Sequence, residues 1–257
     1  MKKKWLALFL AIGTVFSSFA CLTACDEKRG EEVTAEEWDA AFAYPNTENM
    51  IIERTRERHV SEEIMTEITR WVFNETEAYG KMEDVAQSWD ESTMEWKKSE
   101  WILENAYKAV EDMLFSYSTI PQGLNEEGEQ WKLKKKLGGQ EEFKKWKSEV
   151  FESEYLLYDV YCLGIDMFTY DEEQGFYYKD WTVEKEGVIM DFRQEAIFKG
   201  GKLYEICTTL KTEVDTQDGK GNTENIIKIT FESEEIILPN EGELLGAILA
   251  AKKNEEK

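Results

Sequence analysis

The residue types that catalysis uses most often are unevenly supplied in this chain. Its 257 residues include 54 acidic side chains but a single histidine, His59. The acidic pairs Glu62-Glu63, Glu141-Glu142 and Glu234-Glu235 could supply the two carboxyl groups at a fixed separation that glycoside hydrolysis needs. With so many acidic residues such pairs arise by chance, and solvent-exposed faces account for them.

Nucleophilic catalysis would have to use His59, which follows Arg58 in a charged segment that we interpret as an exposed turn. The sequence contains no G-x-S-x-G, G-x-G-x-x-G or H-E-x-x-H motif and no P-loop. Residues 215–222 are similar to a calcium loop in composition, but they lack the bidentate glutamate that such a loop needs downstream. We therefore expect no enzyme activity, no metal site and no cofactor.

Two cysteines near the N-terminus, Cys21 and Cys25, follow a basic start at residues 2–4 and an apolar run over residues 5–19. The run is too short to span a bilayer comfortably as a helix. A basic start, a short apolar run and small residues near a cleavage point are typical of a secretory signal peptide. A metal or redox site at these cysteines is disfavoured because no second pair of ligands follows.

The segment Leu22-Thr23-Ala24-Cys25 resembles the lipobox of bacterial lipoproteins, an aliphatic residue and two small residues before a cysteine. The resemblance implies that residues 1–24 are a lipoprotein signal peptide and that Cys25 receives a diacylglyceryl group and becomes the mature N-terminus. Two acyl chains, such as palmitate, anchor a protein stably. We expect the protein on the outer face of a cytoplasmic membrane, or in a periplasm. An ordinary signal peptide with incidental cysteines is the alternative.

The composition restricts the partners of the remaining chain. Its net charge of −23 becomes more negative without the signal peptide, which carries three lysines and no acidic residue. Such a surface should repel nucleic acid and anionic lipid headgroups. Aromatic residues make up 13% of the chain, which favours a folded core over disorder. Cys162 and Cys207 could pair after export, although we favour two unpaired thiols.

The mature chain is predicted to form a short tether and one domain. Residues 25–33 are charged, which is typical of a solvated linker, and residues 34–257 contain no repeat and no interdomain linker. Thr34-Ala35-Glu36-Glu37 is a capping box, so a first helix should begin here and end at residues 45–46. Residues 140–163 place apolar side chains at near-helical spacing, which predicts a second helix.

Strand signals dominate most of the remaining chain. Glycine-containing turns at residues 171–175 and 199–202 predict hairpins in the C-terminal third. Residues 92–115 have apolar side chains three and four apart, and we interpret them as a helix although Trp and Tyr are equally frequent in strands. The other predicted strands are residues 49–58, 64–73, 81–87, 130–136, 191–198, 203–214, 226–231 and 236–238, with a short helix at 243–251.

The order of these elements resembles a group of small lipoproteins of Gram-positive bacteria, Clostridia especially. The resemblance is carried by Thr34-Ala35-Glu36-Glu37-Trp38, the strand led by Asn49, the run of residues 168–177 and the dipeptide Leu238-Pro239. The architecture of the group is similar to that of LolA-like and LprG-like lipid-binding lipoproteins. The resemblance implies an α+β fold, a curved antiparallel β-sheet or half-barrel with helices covering the concave face. Residues 78–137 depart from it, because they are less strand-like.

The same resemblance implies a lipid-anchored protein that binds an apolar ligand, a lipid or an acyl chain, between sheet and helices. The alternative is a surface protein-interaction module with a solid core, an acidic face and no ligand. Inward-facing aromatic residues are the ligand-cavity candidates, although most aromatic stripes fill a dry core. The candidates are Trp71, Phe73, Phe143, Trp146, Phe176, Tyr178, Phe192 and Phe198.

Overall fold

The structure, a computed structural model, describes residues 28–43, 47–60, 63–90, 92–93, 95–119, 130–156, 164–185, 188–216 and 219–253. These residues form an α+β fold around one curved antiparallel sheet of eleven strands that does not close into a barrel, so the predicted fold class is confirmed. The predictions for Cys21, Cys25 and Cys162 lie outside the described residues.

The strands are β1 (Met50–Val60), β2 (Glu63–Phe73), β3 (Glu77–Asp90), β4 (Glu95–Val110), β5 (Met113–Ser118), β6 (Lys132–Lys135), β7 (Thr169–Asp171), β8 (Phe176–Lys185), β9 (Val188–Lys199), β10 (Lys202–Thr216) and β11 (Gly219–Thr230). The helices are α1 (Ala35–Ala43), α2 (Gly139–Leu156) and α3 (Glu241–Lys253), with a short 3-10 helix at Ile165–Met167.

The sheet consists of two meanders that meet at its centre. Its strand order is β6-β5-β4-β3-β2-β1-β11-β10-β9-β8-β7. Within each meander, neighbours in sequence are neighbours in the sheet, whereas β6 and β7 lie at opposite edges and the first strand pairs with the last. β1 pairs with β11 from Ile51 opposite Thr230 to His59 opposite Asn222, without a break in register. This regular pairing makes β1 a central strand whose side chains alternate strictly between the two faces.

Helix α1 begins at the predicted capping box. The Thr34 hydroxyl accepts a hydrogen bond from the Glu37 backbone N–H at 3.2 Å, and the Glu37 carboxylate accepts one from the Thr34 N–H at 2.8 Å. The hydrogen bonds from Thr34 lower the pKa of Glu37, because they favour its ionised form. The predicted first helix is confirmed, and the predicted helix at 140–163 is confirmed as α2 within the described residues.

The turn between β7 and β8 is held by the side chain of Asp171. Its Oδ1 accepts hydrogen bonds from the backbone N–H groups of Glu173 at 3.0 Å and Gln174 at 2.9 Å. Gly175 then takes φ +74°, a left-handed conformation that glycine adopts without steric cost. The hairpin predicted from this acidic, glycine-closed turn is confirmed.

We name the face of the sheet that carries Met50 and Ile52 the inner face, and the opposite face the outer face. Helices α1 and α2 pack on the inner face, where one apolar core joins residues of nine strands. Nine flat strands would span about 40 Å, whereas two helices side by side cover only about 20 Å. Because residues of all nine strands join one core with these two helices, the inner face is concave. The largest fully buried side chains of this core are Trp38, Met50, Phe73, Leu114, Phe143, Phe198 and Ile229.

Helix α3 packs on the outer face and forms a second, smaller core. Leu244 and Ala251 of α3 are buried with Met113 and Phe115 of β5, which alternate with the inner residue Leu114. The prediction that helices cover the concave face therefore holds for α1 and α2, while α3 covers part of the other face.

Residues 92–115 were predicted to be a helix, and this prediction is wrong. The segment forms β4 and the beginning of β5. Ala106 of β4 is buried on the outer face and its neighbour Tyr107 packs on the inner face, so apolar side chains are needed on both sides. A strand covered on both faces loses the period-two pattern, and its apolar spacing then resembles that of a helix.

One further segment differs from its prediction. Residues 236–238 form no strand, although Leu238 is buried in the outer core beside Trp131. Trp131 donates its indole N–H to the Pro239 carbonyl at 2.7 Å, which ties this irregular segment to the start of β6. Residues 78–137, which are less strand-like in sequence than the resembled group, contribute the strands β3, β4, β5 and β6.

Residues 28–33, which we name the N-terminal segment, pack against the sheet and do not form the predicted solvated linker. The Arg29 backbone N–H donates to the Gln174 carbonyl at 2.9 Å, and the Glu31 N–H donates to the Phe198 carbonyl at 3.0 Å. The domain therefore begins before residue 34.

Replacing Arg29 with alanine should destabilise the domain. Its guanidinium binds Glu195 at 3.2 Å and Glu205 at 3.0 Å, two carboxylates whose side chains are only 17% and 13% exposed. Arg29→Ala leaves both carboxylates without this cation, so we expect the free energy of unfolding to fall by about 2 kcal/mol. For a domain of this size the loss lowers the melting temperature by about 4–8 °C.

The matched control is Lys28→Ala, which removes one positive charge from an exposed neighbouring side chain. It should change the free energy of unfolding by less than about 0.5 kcal/mol. Thermal unfolding followed by circular dichroism compares the two variants, and equal melting temperatures would contradict the docking of Arg29.

Candidate functional site

Six of the eight predicted cavity residues lie on the inner face or on α2 facing it. Phe73, Phe143 and Phe198 are fully buried in the inner core, and Trp71, Trp146 and Phe192 pack against it while partly exposed. The structure therefore brings together aromatic residues that are far apart in sequence.

The space between α2 and the sheet is occupied by the side chains of the protein itself. The Trp146 ring lies 4.3 Å from the Tyr107 ring, 5.6 Å from the Trp71 ring and 5.7 Å from the Phe73 ring, measured between centroids. Aromatic pairs at these separations are in direct contact. The helix-covered half of the inner face is thus a packed aromatic core.

Phe176 and Tyr178 were predicted to face the helices, and the structure places them on the outer face. Tyr177 between them is the inner residue of β8, because neighbouring side chains of a strand point to opposite faces. The Arg29 guanidinium lies 4.9 Å from the centre of the Phe176 ring, and the Arg193 guanidinium lies 4.8 Å from that of Tyr178. Three consecutive aromatic residues carry no signal for register, which explains the error.

The inner face continues beyond the helices toward the β1–β2 turn, and we name this part the open half. On β8 and β9 it carries Trp181 stacked on Phe192, with ring centroids 4.9 Å apart and planes at 3°. Both rings are half-buried. On β4 it carries Trp101, whose side chain is 45% exposed. Apolar surface therefore lies on both sides of the centre of the open half.

The centre of the open half carries a feature that the sequence analysis missed. Arg54, Arg56 and Arg58 alternate along β1 on the same face as Met50 and Ile52, and we name them the arginine row. The signal was present, since arginines two residues apart share a face once the segment is a strand.

A buried amide lies at the boundary between the core and the open half. Gln194 of β9 is 1% exposed, and its Nε2 donates to the Thr208 hydroxyl at 3.1 Å. Its Oε1 is buried and has no hydrogen-bond partner within the described part of the chain. An unsatisfied buried acceptor is unfavourable, so this carbonyl can accept from a donor brought by a bound molecule.

The outer face, in contrast, pairs its charges internally. Glu53 lies between Arg70 at 3.2 Å and Lys228 at 2.8 Å, and Arg193 binds Glu195 at 2.8 Å. Burial alone would raise the pKa of Glu53, but the two cations together lower it. Among the residues that the structure describes, these charges on the outer face pair with one another.

Cys207 lies on this outer face, opposite Lys228 on β11 and Glu195 on β9. It is a free thiol in the part of the chain that the structure describes. Burial raises the pKa of the Cys207 thiol to about 12, and the nearby carboxylates of Glu195 and Glu205 add to the effect. A thiol of this kind is a poor nucleophile at neutral pH.

We expect Cys207 to resist alkylation while the protein is folded. At pH 8 the thiolate population should be roughly a thousandfold lower than in the unfolded chain, and the labelling rate should follow it. Iodoacetamide labelling of a Cys162→Ser variant, followed by mass spectrometry, measures this rate. The rate in denaturant is the control, and equal rates in both conditions would contradict the prediction.

The single histidine has a carboxylate beside it and, among the described residues, no nucleophile. His59 lies on β1, and its imidazole contacts the Glu57 carboxylate, while no hydroxyl or thiol of a described residue lies within hydrogen-bonding distance of it. Within the described ranges, no group of three or more His, Cys, Asp or Glu side chains is placed to hold a metal ion. None of the helices that the structure describes is long and apolar enough to cross a membrane.

Two solved structures share a distant similarity with this chain. The S-type phycobiliprotein lyase CPES from Guillardia theta is 8% identical, with a TM-score of 0.26 over 79% of this chain and 96% of that chain. The di-domain ARO/CYC protein StfQ from the steffimycin biosynthetic pathway is 9% identical, with a TM-score of 0.17 over 86% and 87% of the two chains. TM-scores this low carry no argument about function. No family model and no curated protein sequence matches the chain.

Proposed function

We propose that this protein is an extracytoplasmic binding protein, anchored through Cys25 to the outer face of the cytoplasmic membrane, that holds an apolar ligand on its concave face. Binding is favoured over catalysis because the described residues place no hydroxyl or thiol within hydrogen-bonding distance of His59. The ligand site is the open half, because the helix-covered half is filled by the aromatic residues of the protein itself.

One observation carries the binding proposal. The apolar inner surface does not end with α1 and α2, since the stacked pair Trp181 and Phe192 remains half-exposed beyond them. Aromatic side chains in a concave, partly covered surface are typical of sites for lipids and other apolar molecules. A lipid or acyl chain lying along this surface would bury the exposed rings.

The docked N-terminal segment supports the anchoring proposal. Arg29 is bound to the outer face, and only three residues separate it from Cys25. Four residues of extended chain reach at most about 14 Å. A lipidated Cys25 would therefore hold the domain directly against the membrane, with little freedom to move away from it.

Ligand binding is tested on the mature chain, residues 25–257 with Cys25→Ser, purified without detergent. We expect native mass spectrometry to detect a co-purified apolar molecule, and a fluorescent fatty acid to bind with saturation. Trp181→Ala should weaken that binding, whereas Trp38 of α1 is unsuited as a control because its loss destabilises the core. Absence of both co-purified lipid and fatty-acid uptake would exclude the binding function.

Anchoring is tested separately by growth with radiolabelled palmitate. The wild-type chain should take up label and remain with the membrane fraction, and Cys25→Ala should do neither. Cys21→Ala is the matched control, since the resemblance assigns Cys21 to the discarded signal peptide. Labelling of the Cys25→Ala variant would contradict the assignment.

A second candidate function is a protein-interaction module with a solid core. It is favoured by the ring contacts under α2, which leave that region filled. This alternative predicts salt-sensitive capture of a basic partner by the acidic surface and no bound lipid. Cross-linking on intact cells distinguishes it from ligand binding. The partner recovered after washes at low salt is compared with that recovered after washes at high salt.

A further inference from the structure

The ligand of the open half carries an anionic group, and we infer that the arginine row binds it. This inference rests on the proposed function, because it names the chemical class of the molecule held there. The molecule is an amphiphile with one apolar end and one carboxylate or phosphate group.

The arginine row lies at the centre of the concave surface. β1 has β2 on one side and β11 on the other, in unbroken register, so Arg54, Arg56 and Arg58 follow one another along the inner face. Alternate residues of a strand are about 7 Å apart, so the row extends over about 13 Å. It begins one step beyond Ile52, where the apolar core ends.

Two charges of the row, those of Arg56 and Arg58, are not paired with any residue that the structure describes. Arg54 donates from Nε to the Asn225 Oδ1 at 3.3 Å, while Arg56 and Arg58 are exposed and form no ion pair or hydrogen bond with a described residue. Glu67 lies opposite Arg56 in the β1–β2 register, yet the two side chains form no ion pair. The chain has 54 acidic against 31 basic residues, so arginines left without a carboxylate partner are unexpected.

The residues around the row are suited to an anion on one side. On β11 the neighbours of the row are Ile227, Asn225 and Thr223, none of which is charged. Arginine provides several N–H donors in a fixed geometry and binds carboxylates and phosphates in bidentate fashion. The row therefore offers donors with no competing negative charge on that side.

Apolar surface begins within a short distance of the row on the same side. Across the sheet from Arg56 the register runs through Asn225 and Leu210 to Phe192 and Trp181. With strands about 4.8 Å apart, the apolar residues lie roughly 10–19 Å from the row. A molecule with an anionic head on the arginines can thus place its apolar part on Leu210, Phe192 and Trp181.

The buried Gln194 lies beside this path. Its side chain is on the inner face of β9, next to Phe192 in the same alternation, and its Oε1 lacks a donor among the described residues. A hydroxyl or amide along the part of the ligand that lies over β9, about 14 Å from the row, could satisfy it. The site thus combines donors for an anion, an apolar surface and one acceptor.

The inference is tested with two probes that differ only at the head: a fluorescent long-chain fatty acid and the alcohol of the same chain. Both are titrated into the mature chain at low ionic strength. We expect the acid to bind about tenfold more tightly than the alcohol. The difference should shrink as salt is added, because exposed charges are screened.

The double variant Arg56→Gln/Arg58→Gln should bind acid and alcohol with equal affinity. The matched control, Lys144→Gln/Lys145→Gln, removes two charges from exposed positions on α2 and should keep the tenfold preference. Both double variants alter exposed side chains, and unchanged thermal melting confirms that they fold.

Each further outcome is decisive. Equal binding of acid and alcohol by the wild-type chain would overturn the inference and leave the proposed function standing. Binding of neither probe would remove the proposed function itself. Binding of inorganic phosphate as tightly as the fatty acid would show that the apolar part contributes nothing and that the row serves a free anion, which also overturns the assignment of an amphiphile.

Discussion

Trp38→Ala is expected to lower the free energy of unfolding by about 3–5 kcal/mol, the range for removing a large aromatic side chain from a core. Trp38 is 1% exposed and is the more deeply buried of the two residues, Trp38 and Phe42, through which α1 packs on the sheet. Its ring centroid lies 4.8 Å from that of Phe168, 5.2 Å from Tyr177 and 5.4 Å from Phe198. Removing the indole leaves these rings around a cavity and releases α1 from its main contact.

The measurement is chemical denaturation followed by far-UV circular dichroism, with the midpoint and slope compared between variants. Trp101→Ala is the control, because Trp101 is 45% exposed and should cost about 1 kcal/mol or less. Trp38→Phe should lie between the wild type and Trp38→Ala. A loss of equal size at both tryptophans would contradict the placement of α1.

Gly139→Ala is the second substitution with a large expected effect. A Cβ at this first residue of α2 would lie 2.3 Å from the Met113 carbonyl carbon and 2.4 Å from the Leu114 nitrogen. Both atoms belong to the backbone of β5, so a rotamer change cannot relieve the overlap. Either α2 or β5 must move. We expect the free energy of unfolding to fall by about 3 kcal/mol, which is the upper end of the usual cost of overpacking a core.

Gly246→Ala is a control of the same chemical type with the opposite expected sign. Gly246 is exposed within α3, and a Cβ there meets no atom within 4 Å. Alanine is a better helix former than glycine, so the free energy of unfolding of this variant should rise by up to about 1 kcal/mol. Differential scanning calorimetry of the two variants should show melting temperatures that shift in opposite directions.

The sequence predicted best where local chemistry decides the conformation. The capping box at residues 34–37 starts α1, and the Asp171 turn makes its hairpin, because each depends on hydrogen bonds within a few residues. Residues 92–115 were misread because their burial on both faces comes from α2 and α3, which are distant in sequence. Tertiary contacts of this kind leave no local pattern.

The candidate site was predicted only in part for the same reason. Aromatic residues of the core could be picked by type, and six of eight lie on the inner face or on the helix over it. The register of β8 could not be deduced from three adjacent aromatic residues, so Phe176 and Tyr178 were placed on the wrong face. The arginine row could have been found, since its alternation is local, but its central position depends on the pairing of β1 with β11.

That central pairing also sets the order in which the molecule can assemble. Each meander can pair its own strands soon after they are synthesised, whereas Arg54 and Asn225 are 171 positions apart and meet across the central seam. Contacts so distant in sequence form slowly, so closure of this seam should limit the folding rate. Until then β1 is an edge strand, paired with β2 on one side only. Its alternating arginines discourage the other side from pairing with another chain. The same three side chains would thus protect the unfinished protein before they serve the finished one.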